Sequence, residues 1–224
     1  MPHLDRDGDV FVLQLGDGEN RFHPDLLAAV GELLDEVAAA PAPRALVTAA
    51  TGKFFSNGLD LDWLSANTAA VNDYTAQVHD LLARVLTFPA PTAAALQGHT
   101  FAGGAMLALA HDWRVMRADR GFFCLPEADI NIPFLPGMSA LIQAKLTPAA
   151  ATDVMLTARR YGGEDALTAD LVTTTAGEDD VLPAAIAQVA PLAGKDPATL
   201  GVIKERMYAG VVAALRDRER NRIG

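Results

Sequence analysis

Apolar positions change their period from segment to segment, and the changes mark the elements. Val10 to Leu15 is an apolar run closed by the turn cluster Gly16-Asp17-Gly18-Glu19-Asn20, which predicts a strand. Pro24 stands where a first helical position belongs. Leu26, Leu27, Val30, Leu33, Leu34 and Val37 follow at helical spacing until Pro41 and Pro43 stop them. Arg44 to Ala49 has the composition of a buried strand. Thr51 to Asp60 is a Gly-, Ser- and Asn-rich loop, and Leu61 to Leu64 a short helical turn. Val71 to Leu86 is amphipathic at helical period and ends at Phe88-Pro89. Thr92 to Leu96 is a short apolar strand. Gly98 to Gly104 is a loop that enters an apolar helix, Gly104 to Ala110.

Beyond that helix the pattern predicts strands over Trp113 to Met116 and Phe122 to Leu125, then helices over Leu135 to Leu146 and Ala149 to Leu156. After Gly162-Gly163, helices are expected over Glu164 to Ala169, Val181 to Leu192 and Pro197 to about Arg216. One short strand is expected over Leu171 to Thr174. Strand and helix thus alternate through the first two thirds, which predicts a layered α/β fold with right-handed crossovers. The last third is mostly helical, with apolar faces that need burial on the body or on another subunit.

Composition narrows the partners. The 224 residues suffice for one domain, or one with a helical appendage, and half of them are hydrophobic. Against 18 Lys and Arg stand 28 Asp and Glu, a net charge of −10. That balance argues against nucleic acid and against an anionic membrane surface. It leaves room for a small anionic ligand held by local backbone dipoles. Cys124 is the only cysteine, so no intrachain disulfide and no Cys-based zinc site is expected. The polar stretch Met1 to Asp9 predicts no secretory signal, and no apolar run reaches membrane-span length. A cytoplasmic setting is the expectation.

Several catalytic signatures fail. Gly98 and Gly103 have P-loop spacing, but Gly104 stands where the phosphate-binding Lys is needed. There is no G-x-G-x-x-G, no H-E-x-x-H and no G-x-S-x-G elbow. His3, His23, His79, His99 and His111 show no metal-ligand spacing, so no metal is expected. Two glycine-bearing corners remain, Phe54 to Asp60 and Gly98 to Ala105, each after a strand and ahead of a helix. Facing each other, such corners make an oxyanion hole from backbone N–H groups; apart, they are tight turns only. Glu127 and Asp129 stand among apolar residues and prolines from Phe122 to Phe134. Such surroundings disfavour the charged carboxylate and strengthen it as a base, unless it caps a backbone or pairs with an Arg.

These residues carry a family resemblance over about Val10 to Val172. Its parts are Phe55-Ser56-Asn57-Gly58-Leu59-Asp60-Leu61, Ala95-Leu96-Gln97-Gly98-His99 with Ala102-Gly103-Gly104, and Tyr161 to Leu167 followed by Leu171-Val172. The chain resembles the crotonase superfamily of enoyl-CoA hydratases and isomerases. Asn20 to Pro24, Gly52 to Gly58 and Asp119 to Pro133 resemble, within it, the plant-type Δ3,Δ2-enoyl-CoA isomerase branch.

The resemblance implies a ββα spiral core over 1–160 and a mainly helical region over 161–224 that builds trimers or hexamers. It implies backbone N–H groups of Leu59 and Gly103 as the oxyanion hole and Glu127 as the catalytic carboxylate. Arg21, Phe22, Ser56, Asn57, Gly58, Phe101, Gly104, Met106 and Phe134 become the implied substrate contacts. The implied substrate is a fatty acyl-CoA of β-oxidation. No cofactor is implied, because coenzyme A is part of that substrate.

Met106 falls where hydratases carry a second glutamate. A double-bond shift needs only one base, which favours an isomerase. The alternatives are a hydratase recruiting Asp129 from an extended segment, another thioester-enolate enzyme, and a non-catalytic acyl-CoA binder. Lys204 and Arg206 are candidates for the CoA phosphate or, as the commoner case on a helix face, solvated charges.

Overall fold

The computed structural model describes residues 1–223. Its first element is one the hydropathy pattern hides. β1 (His3–Asp7) is almost wholly exposed and pairs antiparallel with β2 (Val10–Gln14) at the sheet edge. An edge strand rich in charge shows no apolar alternation, and that charge protects its free edge. Arg6 nevertheless covers the ring of its cross-strand partner Phe11, 4.7 Å from the centroid.

α1 (Pro24–Ala39) starts at its proline, as the sequence predicts. β3 (Ala45–Ala49) then enters the main sheet in parallel with β2. From here a unit recurs. A main-sheet strand turns sharply into a short strand of a second sheet, and helical structure follows. β3 passes to β4 (Phe54–Ser56), α2 (Leu61–Ala66) and α3 (Val71–Leu86). β5 (Thr92–Leu96) passes to β6 (His99–Phe101) and α4 (Gly103–Ala110). β7 (Trp113–Arg117) passes to β8 (Phe123–Cys124) and α5 (Glu127–Ile130). The result is a ββα spiral with a six-stranded sheet, β1-β2-β3-β5-β7-β9, and a three-stranded sheet, β4-β6-β8. β4 and β6 fall inside segments that the sequence predicts as loops, because three-residue strands between turn residues carry no readable period.

The remaining helices are α6 (Pro136–Lys145), α7 (Pro148–Thr157), α8 (Gly163–Thr168), α9 (Val181–Val189), α10 (Pro197–Met207) and α11 (Ala209–Arg216). β9 (Thr174–Ala176) sits later than the predicted strand over Leu171 to Thr174. Leu171 and Val172 are apolar for another reason: both amides donate to Ala166 O and both side chains are buried beneath the end of α8. The single predicted C-terminal helix is two, divided at Tyr208.

Alternation on the sheet explains the abundance of alanine. Ala45, Val47, Ala49, Ala93, Ala95 and Val115 face one way and meet Val181, Ala185 and Val189 of α9. Small side chains let that helix lie close on the sheet. The opposite face, with Leu46, Ala94, Leu96 and Met116, joins the larger core built with α1, α3 and α4. His111 bridges two layers: its ring nitrogens meet Leu107 O and Thr48 Oγ1, each at 2.8 Å. Complete burial lowers its pKa to about 4, so it is a neutral structural histidine. Lys204 is not a solvated charge. Its ammonium is buried, 2.6 Å from Asp112 Oδ2 and 2.7 Å from Ala90 O, and it pins α10 to the body.

Candidate active site

The second sheet exists to bring the two glycine corners together. A Cβ placed on Gly58 would lie 2.6 Å from the amide nitrogen of Gly103. One on Gly104 would lie 2.4 Å from Ser56 O. Only hydrogen fits at either position, so the two corners touch backbone to backbone. Gly58 also has φ of +76°, a conformation that glycine adopts without strain.

Each corner is held from behind. Asn20 Nδ2 donates to Phe55 O at 3.0 Å and to Phe54 O at 3.2 Å. Ser56 Oγ donates to Asn20 O at 2.8 Å and accepts the Gly58 amide at 3.1 Å. The Phe22 amide donates to Gly58 O, and the Asp60 amide to the Tyr74 hydroxyl at 3.0 Å. The other corner is fixed by Ala102, whose amide donates to Cys124 O at 3.0 Å. Ala102 has φ of +49°, costly for a residue with a Cβ, on the order of 1–3 kcal/mol. That backbone turn starts α4 and leaves Gly103 as its first residue.

Among the described residues no protein group accepts a hydrogen bond from the amide of Leu59 or of Gly103. Two neighbouring, unpaired N–H groups at fixed positions are what an oxyanion requires.

A cleft of about 290 Å³ opens here, walled by Leu59, Asn57, Phe101, Arg21, Ile130 and Glu127 among others. Glu127 opens the single turn of α5 directly after Pro126, three residues past the Ala102–Cys124 bond. Its side chain is buried, and Oε2 has no hydrogen-bond partner. Burial pushes its pKa from 4.5 to about 7, against a smaller opposing effect of its own backbone amide. It neither caps another backbone segment nor pairs with an arginine, so the structural alternatives weighed from sequence do not apply.

Asp129 differs from the sequence expectation. The segment is helical there, not extended, so residues two apart do not share a face, and Asp129 is exposed outside the cleft wall. The other acid on the wall, Asp62, is exposed and held by Arg21 at 2.6 Å. Arg21 is engaged as well with Glu19 at 2.5 Å.

The structure divides the expected substrate contacts into two groups. Arg21, Asn57 and Phe101 line the cleft, and Phe134 lines an adjoining hollow that Glu127 also borders. Phe22, Ser56 and Met106 are fully buried and absent from the cleft wall. Phe22 backs Gly103, Ser56 supports the first corner, and Met106 sits in the core of α4. Gly58 and Gly104 serve by close approach. Tyr74 and Asn20 are positioning groups whose role the sequence pattern does not give, because their partners are remote in sequence. Asn20 closing the turn cluster is the signal the sequence offers, and the structure gives it φ of +48°.

The sequence matches the enoyl-CoA hydratase/isomerase family model over residues 5–222. The chain belongs to this family. It is 39% identical over 206 residues to enoyl-CoA delta isomerase 2, peroxisomal, of Arabidopsis thaliana, covering 87% of this chain and 86% of that protein. Among solved structures, an apo enoyl-CoA isomerase of Mycobacterium tuberculosis superposes with a TM-score of 0.88. It is 26% identical and covers 97% of this chain and 95% of the other. An enoyl-CoA hydratase of Mycobacterium marinum gives 0.87 at 27% identity, covering 96% and 94%. The family fold is thus the spiral built above, and the family's names span both chemistries. The choice between them rests on the carboxylates of the cleft.

Proposed function

We propose that this protein is a Δ3,Δ2-enoyl-CoA isomerase, moving a C3 double bond of a fatty acyl-CoA to trans C2. One observation carries the choice. The cleft holds a single buried carboxyl group, Glu127, whose Oε2 has no partner, and its other acid is exposed and salt-bridged. Hydration shares water activation and proton delivery between two groups, whereas a double-bond shift needs one group used twice.

Ionised Glu127 takes a proton from C2. The electron pair moves into a dienolate whose negative charge rests on the thioester oxygen, where the Leu59 and Gly103 amides donate. Each such donor contributes roughly 3–4 kcal/mol to the transition state. Glu127 then returns the proton at C4, and the double bond settles between C2 and C3. Phe101 and Ile130 on the wall limit the water that would compete for the intermediate. No cofactor is required, since coenzyme A arrives with the substrate.

The proposal extends to a homotrimer or hexamer in the cytoplasm, serving fatty-acid β-oxidation. Val202, Ile203 and Met207 on α10 support assembly, because each is more than 40% exposed.

Replacing Glu127 with Gln keeps the shape and removes the base. Isomerisation of 3-hexenoyl-CoA should then fall by ~10²–10⁴-fold. Unchanged turnover would overturn the assignment. Crotonyl-CoA hydration by the wild type at a rate rivalling isomerisation would instead favour the hydratase. CoA-ester binding with no turnover and no deuterium exchange at C2 would point to a binding protein.

A further inference from the structure

Glu127 stands on a partition. On one side is the cleft with Leu59 and Arg21; on the other is a second hollow of about 470 Å³. Glu127 and Ile132 border both. The second hollow offers a substrate whose C2 and C4 meet the Glu127 carboxyl a continuation away from the thioester. It runs past Ile132 toward Phe134 and Met155. Beyond lies a third hollow of about 330 Å³, floored by Ala151 and bordered by Leu156 on α7. Met155 lines both the second and the third hollow, and is half-buried against the core.

From this succession we infer that Met155 sets the acyl-chain length that the protein accepts, with the second hollow as the tail site and the third as its blocked extension. The inference rests on the isomerase reading for the direction in which the tail leaves Glu127. The ligand class is an unbranched medium-chain acyl-CoA, because the wall beyond Glu127 is made of Ile132, Pro133, Phe134 and Met155, with Ser139 and Asn131 as its polar members. A thioether side chain at the boundary suits this role. It is flexible and apolar, and it fills a gap without a fixed shape. α5 and α7 pack against each other, so the distance from base to boundary is held by two helices and not by a loop. Each further methylene in contact with apolar wall is worth about fourfold in affinity. A boundary residue therefore shows as a break in an otherwise steady gain with chain length.

The test uses binding and turnover together. Saturated hexanoyl-, octanoyl- and dodecanoyl-CoA are titrated calorimetrically onto the wild type, Met155→Ala and Met155→Trp. The matching 3-enoyl-CoA esters are then assayed for isomerisation. In the wild type, affinity should rise from six to eight carbons and level off by twelve. Met155→Ala should improve dodecanoyl-CoA affinity by ~10-fold and leave hexanoyl-CoA within about twofold. Met155→Trp should weaken the longer esters by a similar factor, which keeps the test decisive if the Ala variant is poorly folded. A chain-length profile unmoved by both variants overturns the assignment of Met155, even where isomerisation proceeds normally. Failure to bind any of the esters overturns it too. A profile that shifts as described while no ester is isomerised supports the tail boundary and sinks the isomerase reading instead.

Discussion

Burial raises the Glu127 carboxyl to about 7, and this acts on rate and on stability in opposite directions. The base form exists only above that pH, so kcat/KM for isomerisation should fall as pH drops through 7, the reverse of a general-acid profile. For stability, the unfolded carboxyl ionises near 4.5 and the folded one near 7. Below 4.5 both states are protonated and ionisation carries no cost. As pH rises through 7 the folded state must ionise a buried group, at roughly 3 kcal/mol. Glu127→Gln removes that cost. The variant should be more stable than the wild type at pH 8 by up to that amount, with the gain vanishing by pH 4.5, as denaturant unfolding at both pH values would show. Equal stability differences at the two values would mean that the carboxyl is not desolvated. The chemical character of this residue was legible in the sequence from its apolar neighbours. That its Oε2 has no partner was not, because partners come from other elements.

Among the elements, the three short strands of the second sheet matter most and were the least legible. β4, β6 and β8 have two or three residues each, too few for alternation to register. Yet β4 and β6 lead into the two corners that present the Leu59 and Gly103 amides, corners that meet backbone to backbone, and β8 leads into the turn that bears Glu127. Gly104 reports on this directly. Adding a Cβ there drives it onto Ser56 O, so the Gly104→Ala variant must part β4 from α4. A loss of ~1–3 kcal/mol is expected from the overpacking, with a fall in kcat exceeding any change in KM. A stable, fully active variant would show that the corners do not need to touch. By contrast α1 and α3 were predicted nearly to the residue, since long amphipathic helices with proline or Phe-Pro boundaries announce both period and ends.

For the whole molecule, the acidic balance and the C-terminal helices pose one question of assembly. α9 and α11 are spent on the protein's own body, α9 on the sheet and α11 against α3 and α6. α10 alone keeps Ile203 and Met207 outward, beside a hollow with Trp113 and Tyr208. The proposed trimer would cover this face. Light scattering at micromolar concentration should give three or six times the chain mass, and Ile203→Asp with Met207→Asp should shift it toward the monomer. A wild-type monomer in that measurement would reject the assembly.

The sequence by itself determined the alternation of strands and helices, the two glycine corners, the carboxylate-bearing apolar segment and the absence of P-loop and serine-elbow motifs. These are local properties, written in period and residue type. Only the tertiary structure decided that the Leu59 and Gly103 amides lie side by side, that Asp129 turns away on a helical face, that Lys204 is buried against Asp112, and that Ser56, Phe22 and Met106 support the site from outside its wall. Those outcomes depend on which distant segments meet. They follow from the packing of two sheets against shared helices, and no local pattern encodes such a meeting.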